Sequence, residues 1–306
     1  MLLIREELSR GISPGAHALT LGVFDGVHRG HQLLFNLLRT EAASRQLSTG
    51  IITFHPHPIT VLRPDIEISY LASLETRVEQ LRATGVDSVV VVQFTSELAQ
   101  VSAEDFARIL VEETGLKLLV TGHDFTLGRN REGSSEQLAR IGIDLDFEVY
   151  PIELLPKDGE PVSSTRVRKA LTSGVMDVAA ELLGRPFILR GPIVHGDERG
   201  RTIGFPTINL GLSPDLMLPA DGVYVSSTEV AGLHLKGCTN IGIRPTFDGV
   251  KRVVETHLLD FEGDLYGQVA SIELLHMLRP EQKFEEPAIL IAQIGRDVAA
   301  TRTYFQ

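Results

Sequence analysis

Residues 19–38, LTLGVFDGVHRGHQLLFNLL, read in succession as a buried strand, a turn broken by glycine and an amphipathic helix. Leu19, Leu21 and Val23 suit a sheet interior, and Leu33, Leu34, Leu37 and Leu38 give the helix an apolar stripe. Gly22, Gly26 and Gly30 let backbone come close to a ligand, and His28 and His31 fall where the helix begins. N–H groups at a helix start attract phosphate, and imidazoles beside them can donate further hydrogen bonds to its oxygens. For two histidines alone, the plainer reading is an ordinary polar turn. Metal ligation lacks a nearby Cys pair or a third ligand motif. The order strand, G-x-F-D-G-V-H-x-G-H, helix is more specific than either.

Outward from that stretch the pattern repeats. TGIITFHPHP, residues 49–58, is a second strand that runs into a loop stiffened by Pro56 and Pro58, with His55 and His57 at its mouth. Ser73 opens a helix through Leu74, Val78 and Leu81, and DSVVVVQF at 87–94 is a near-continuous apolar run suited to a parallel strand covered on both faces. Ser102 and Asp105 form a capping box for a helix through Phe106, Ile109 and Leu110, and KLLVTG at 117–122 is another buried strand. Strands alternating with helices predict a doubly wound parallel sheet with ligands outside the strand carboxyl ends. At that edge GHDFTLGRNREGSS, residues 122–135, reads as a mobile loop in which Asp124, Arg129 and Arg131 could meet phosphate or ribose. VSSTRVRKAL, residues 162–171, reads as a capped helix with Arg166, Arg168 and Lys169 in its first turns. Neither GxGxxG nor GxxxxGK[ST] occurs, which lowers the claim of a dehydrogenase or a P-loop enzyme.

A further helix, Asp177 to Leu183, ends at Gly184 and Pro186, and there helical periodicity stops. FILRGPIVHG, GVYVSSTEV, LHLKGCTNIGI, KRVVETHLLDF and GQVASIELLHML are short runs between turns, as in an antiparallel barrel or sandwich, and Glu286 to Tyr304 is again helical. The boundary is expected near Arg185, giving domains 1–185 and 186–306.

Composition excludes other classes. The 306 residues are 43% hydrophobic, enough for two cores, and the net charge of −11 argues against a broad nucleic-acid surface. No eighteen apolar residues run together, so no membrane span is expected. Cys238 is the only cysteine, which forbids an intrachain disulfide and agrees with a cytoplasmic protein.

GVFDGVHRGHQLL resembles the HxGH adenylyltransferases, which share a Rossmann-like fold, and within them the amino-terminal half of bacterial bifunctional riboflavin kinase/FAD synthetases. The resemblance implies an α/β nucleotidyltransferase domain followed by an antiparallel β-barrel riboflavin kinase domain with a carboxyl-terminal helix. It implies that riboflavin is phosphorylated by ATP to FMN and ADP, and that FMN is adenylylated by a second ATP to FAD and pyrophosphate, with Mg²⁺ as cofactor. No nucleic acid or membrane partner is implied, and self-association stays open.

Residue by residue, the resemblance implies that Gly22, Phe24, Asp25, His28, Gly30 and His31 bind the nucleotide, with both histidines catalytic. His57 keeps the family pattern in the second loop, whereas His55 stands where Glu is usual; Asp124 matches the loop pattern G-x-D/N-F-x-F-G, from which His123, Thr126 and Leu127 differ. Ser163, Ser164, Thr165 and Arg168 match I-S-S-T-x-I-R, the triphosphate-binding partner of the HxGH motif. In the second half GFPTIN resembles G-F-P-T-A-N, so Gly204, Thr207 and Asn209 would bind ATP phosphates, and Thr207 and Asn209 the magnesium. Ile208 replaces Ala there and should point away from the metal if the segment is extended. NIGIRPTF at 240–247 and VETHLLDF at 254–261 complete the pattern and make Glu255 the general base. An enzyme with one working half and a flavin-binding regulator without turnover are the competing readings.

Overall fold

A computed structural model describes residues 2–152, 160–196, 199–246 and 249–306. Asp197 and Glu198 of the stretch before GFPTIN, and Phe247 of NIGIRPTF, lie outside the described residues. The chain divides into two compact units, one of residues 1–70 and 74–163 and one of residues 71–73 and 164–306.

The first unit runs α1 (Leu2–Gly11), β1 (His17–Gly22), α2 (Arg29–Arg45), β2 (Ser48–His55), α3 (Pro58–Leu62), α4 (Leu74–Arg82), β3 (Ser88–Gln93), α5 (Ala103–Thr114), β4 (Leu116–Gly122), β5 (Thr126–Leu127), β6 (Gly133–Ser134), α6 (Ser135–Leu145) and β7 (Glu148–Ile152). Among the described residues five of these strands form a parallel sheet in the order β3-β2-β1-β4-β7. Each face carries its own core. Ile4, Leu8, Phe106, Leu110 and Leu138 lie on one side, and Leu34, Phe35, Leu38 and Leu81 on the other. The doubly wound expectation therefore holds, and the strand order reverses between β1 and β4, where open sheets of this type bind ligands.

The run DSVVVVQF is packed on both faces as expected, although β3 is an edge strand of the sheet: Val90 and Val92 are buried in the core that includes Ile4 and Leu8 of α1, and half-buried Val89 packs against the core of the other face. One local expectation changes. The stretch after β4, expected as a mobile loop, contains the β5–β6 pair and the N-cap Ser134, whose side chain accepts the Gln137 N–H. Arg131 donates to Thr126 Oγ1 at 3.0 Å and Arg129 lies 4.0 Å from Glu132, so both cations are engaged within their own loop.

The second unit runs α7 (Ser164–Thr172), α8 (Met176–Leu183), β8 (Phe187–Val194), α9 (Arg199–Thr202), β9 (Ile208–Leu210), β10 (Gly222–Val230), β11 (Leu233–Thr246), β12 (Gly249–Leu258), β13 (Val269–Pro280) and α10 (Pro287–Tyr304). Its strands close into an antiparallel barrel in the order β10-β11-β12-β9-β8-β13. Ser226, Thr239 and Thr256 are buried on neighbouring strands; Thr239 Oγ1 donates to Ser226 Oγ at 2.7 Å and lies 2.7 Å from Thr256 Oγ1. Burial of these hydroxyls is tolerable because each has a partner.

Helices α7 and α8 pack on each other, and α8 lies against β8 and β13. The Leu171 carbonyl accepts the Ala220 N–H at 2.9 Å, and a Cβ on Gly174 would sit 2.3 Å from Met277 Sδ. By packing, the division of the chain falls between Ser163 and Ser164, earlier than the change of periodicity near Arg185.

Candidate active sites

At the carboxyl end of β1 the backbone must reverse into α2 in six residues. Phe24, Gly26 and Val27 take positive φ of 53°, 79° and 42° to do so. The turn is anchored from below by buried Thr53 of β2, whose hydroxyl donates to the Val23 carbonyl at 2.9 Å. Phe24 is buried edge-on to Phe35 at 5.0 Å and to the His31 ring at 5.2 Å, and Asp25 is buried beneath the same turn. A Cβ on Gly22 would meet the Phe24 ring at 2.8 Å, so glycine is required there.

His28 occupies the N-cap of α2, and its Nδ1 accepts the His31 N–H at 3.4 Å. The His28 and His31 rings stack, with centroids 3.5 Å apart and 19° between planes. His57, after β2, repeats the arrangement: it caps α3, its Nδ1 accepting the Ile59 N–H at 3.1 Å. With Nδ1 engaged as an acceptor, a neutral imidazole carries its proton on Nε2. Both histidines thus stand at helix starts at one edge of the sheet with Nε2 as the protonated nitrogen, where backbone N–H groups also favour an anion. Burial, reinforced by the nearby His28, holds the His31 imidazole well below the ordinary histidine value, and its Nδ1 is enclosed without a partner among the described residues.

Gly30 joins two sequence-distant motifs. A Cβ at this position would sit 3.2 Å from the His28 ring and 3.2 Å from the Val162 carbonyl, so the backbone that leads into SSTRVR lies against HxGH. Ser163 closes this unit, and Ser164, Thr165 and Arg168 stand in the first turns of α7 in the other unit, Thr165 exposed and the rest half-buried. Asp124 is exposed just past the end of β4. Sequence reading missed Arg77. It is fully buried on α4, donates from Nη2 to the Phe54 carbonyl at 3.1 Å and lies 5.9 Å from the centre of the Tyr70 ring. Tyr70 in turn accepts the His57 N–H at 2.8 Å. Burial lowers the Arg77 guanidinium's proton affinity, and the nearby charge of Asp25 opposes that shift. Arg77 therefore ties the end of β2 to Tyr70, which holds the His57 loop.

In the barrel, GFPTIN leads into strand β9, which holds its Ile208 and Asn209, and the register of that strand decides the chemistry. Asn209 pairs with Glu255, which pairs on its other side with Asn240, so the three side chains form one row across β9, β12 and β11. Ile208 pairs with Thr256 instead and belongs to the opposite face, as its place between two polar residues implies. Glu255, Asn240 and Thr207 line a cavity of about 470 Å³ whose far wall is Leu290, Ile294, Asp297 and Val298 of α10. Gly204, with φ of 86°, ends the turn after α9, and a Cβ on Gly196 would lie 2.4 Å from Asn209 Nδ2, so bare backbone covers this amide.

Arg244 and His257 also belong to this wall and were not singled out in the sequence. Arg244 Nη2 donates to Glu255 Oε1 at 2.9 Å. His257 lies 2.8 Å from the Pro206 carbonyl through Nδ1, which must donate because a carbonyl only accepts. It thereby fixes the residue before Thr207. Cys238 is a buried core residue whose thiol is pushed up to about 11 by burial. No group of three or more His, Cys, Asp or Glu among the described residues could hold a metal ion.

Comparison with known proteins gives the family of each half of the chain. Residues 12–166 match the family model for FAD synthetase and residues 183–305 that for riboflavin kinase. The chain belongs to the bifunctional riboflavin kinase/FMN adenylyltransferase family. It is 39% identical to the Escherichia coli (strain K12) member over 311 residues, covering 100% of this chain and 98% of that one. It is 35% identical to the Bacillus subtilis (strain 168) member, covering 99% and 95%. A solved Streptococcus pneumoniae structure, described as a macrolide-efflux protein, superposes with a TM-score of 0.88 at 32% identity and covers 97% of each chain. Among the described residues no helix is long and apolar enough to cross a membrane. As a bifunctional riboflavin kinase/FMN adenylyltransferase, the chain is a transferase of flavin cofactor synthesis, with its parallel-sheet domain first and its barrel second.

Proposed function

We propose that the two activities use the residues assembled above, in series. In the barrel, riboflavin lies in the cavity between Phe205 and the α10 wall, and its 5′-hydroxyl gives its proton to Glu255 as the oxygen forms a bond to the γ-phosphorus of ATP. The bond from that phosphorus to the bridging oxygen breaks, and ADP leaves. The single observation that carries this assignment is the row Asn209–Glu255–Asn240, which sets a carboxylate beside the polar residues of GFPTIN.

Magnesium suits the donors available. Mg²⁺ takes oxygen ligands and keeps much of its shell as water and phosphate, so Thr207 and Asn209 need supply only their side-chain oxygens. Held by Thr207 and Asn209, such an ion would neutralise part of the charge on the ATP phosphates.

In the parallel-sheet domain, an FMN phosphate oxygen attacks the α-phosphorus of ATP, and pyrophosphate leaves. FMN phosphate is already a competent nucleophile, so alignment and charge stabilisation suffice. We assign His28, His31 and His57, with the backbone of Gly22 to Gly30 around Phe24 and Asp25, to the triphosphate and the developing charge. Asp124 is assigned to the nucleotide's polar groups, and Ser163, Ser164, Thr165 and Arg168 keep the phosphate role implied by the family pattern. We place the enzyme in the cytoplasm.

Chromatography of products from riboflavin and Mg-ATP tests this directly. Wild type should give FMN and then FAD, His28→Ala should stop at FMN, and Glu255→Gln should make FAD only when FMN is supplied. FMN without FAD from the wild type would mean one working half, and tight flavin binding without ATP consumption would mean a regulator.

A further inference from the structure

The proposed base does not stand alone. Glu255 and Arg244 are each about a quarter exposed, 26% and 27%, and line the same cavity, and the guanidinium holds Oε1 at 2.9 Å. No described residue donates to Oε2. Arg244 lies four residues beyond Asn240 on β11, on the same face of the strand, so its side chain must reach back along the strand to meet the carboxylate opposite Asn240. The other arginine of this wall is committed elsewhere: Arg279 binds Asp297 through Nη2 at 2.7 Å and through Nε at 3.1 Å to both oxygens.

We infer that Arg244 is the positioning residue of the kinase half: it clamps one oxygen of Glu255 so that the other, Oε2, is the atom that takes the riboflavin proton. The inference rests on Glu255 being the base. A carboxylate on a flexible side chain that must meet a hydroxyl at hydrogen-bond range loses rate when its rotamers are unconstrained, and a misplacement of about 1 Å can cost on the order of a hundredfold. A charge-assisted bond to one oxygen removes that freedom. The same bond engages Oε1, so proton transfer through Oε2 requires no opening of the ion pair.

The test is a double-mutant cycle on the full-length enzyme, with FMN formation under saturating Mg-ATP as the readout and FAD formation from supplied FMN as the internal control. Arg244→Ala should lower kcat for FMN formation by about tenfold to a hundredfold, with KM for riboflavin and for ATP changed by less than about threefold. Arg244→Lys, which keeps charge but not the forked geometry, should recover part of the loss. The deciding comparison uses Glu255→Gln: adding Arg244→Ala to it should cost nothing further, because Arg244 acts only through the carboxylate. If the two losses multiply instead, Arg244 acts on substrate or phosphate independently and the inference is overturned while the base assignment survives. If Glu255→Gln alone keeps full activity, the base assignment fails and the inference falls with it. Should Arg244→Ala not fold, as judged by thermal melting and by loss of FAD formation, the same cycle run with Arg244→Lys decides on the same terms.

Discussion

His28 Nδ1 accepts the His31 backbone N–H at 3.4 Å, and the two rings stack with their centroids 3.5 Å apart. One imidazole therefore does the work of an N-cap through Nδ1, and the proposed phosphate donor is the other ring nitrogen, Nε2. Capping and chemistry can be separated, because Asn caps helices well but cannot replace a donor at the reach of Nε2. His28→Asn should melt within a few degrees of wild type, yet lose FAD formation by about a hundredfold to a thousandfold, the range for removing one transition-state donor. His28→Ala should lose the cap as well, at about 1 kcal/mol. FMN formation should be unchanged in both. Near wild-type FAD synthesis by His28→Asn would remove His28 from the mechanism.

The stacked partner predicts a pH dependence of stability. Burial and the nearby His28 hold His31 well below its ordinary value of 6.5. Between the folded and unfolded values the unfolded chain binds more protons, so stability rises with pH in that window. Read in the other direction, the stabilisation is complete above about 6.5 and drains away as pH falls from there toward the folded value. His31→Gln cannot titrate. Urea midpoints measured from about pH 7.5 down to about pH 5 should fall in wild type and fall less in the variant. Equal slopes would show that His31 has no such shift.

Arg77 yields a third prediction. A fully buried cation costs several kcal/mol in desolvation, more than one bond to the Phe54 carbonyl returns, so the Asp25 charge beneath the turn is needed to offset it. Arg77→Met would leave Asp25 buried without that charge and cut the tie to Tyr70, which accepts the His57 N–H. The expected result is a destabilised first domain, seen as an early unfolding transition, with FAD formation lost and riboflavin phosphorylation retained. An Arg77→Met/Asp25→Asn double variant should regain part of that stability. Failure to regain any would show that Asp25 is not the compensating charge.

Arg77 also shows what was legible. It falls three residues after Leu74 and four before Leu81, on the apolar stripe of α4, and a cation on such a stripe is the sequence signal that was passed over. The alternation that built the sheet was readable because strands and helices differ in period. Which strand forms the edge was not, since Val89 to Val92 read the same whether or not a further strand pairs with them. The β9 register was half-legible: GFPTIN says that Thr207 and Asn209 differ in facing from Ile208, but only pairing puts Asn209 beside Glu255. Arg244 and Glu255 are joined by a side chain reaching back along β11 to the next strand, a relation that no spacing rule contains.

The last prediction concerns the helix pair between the two site-bearing regions. The periodicity change near Arg185 proposes a kinase domain of residues 186–306, which keeps Thr207, Asn209, Arg244 and Glu255. Packing places α7 and α8 with the barrel: α8 lies on β8 and β13, the Leu171 carbonyl takes the Ala220 N–H, and Val167, Leu171, Leu182 and Leu183 are buried. Burying each such leucine contributes about 1.5–3 kcal/mol, so deleting the pair should be felt. Fragment 164–306 is expected to fold and phosphorylate riboflavin. Fragment 186–306 should be active where folded, because its site is complete, but should melt at a lower temperature and aggregate through the uncovered β8–β13 face. If both fragments melt together, the helix pair is a linker and the Arg185 boundary stands. If 164–306 folds but does not phosphorylate riboflavin, the barrel depends on the first domain for its activity.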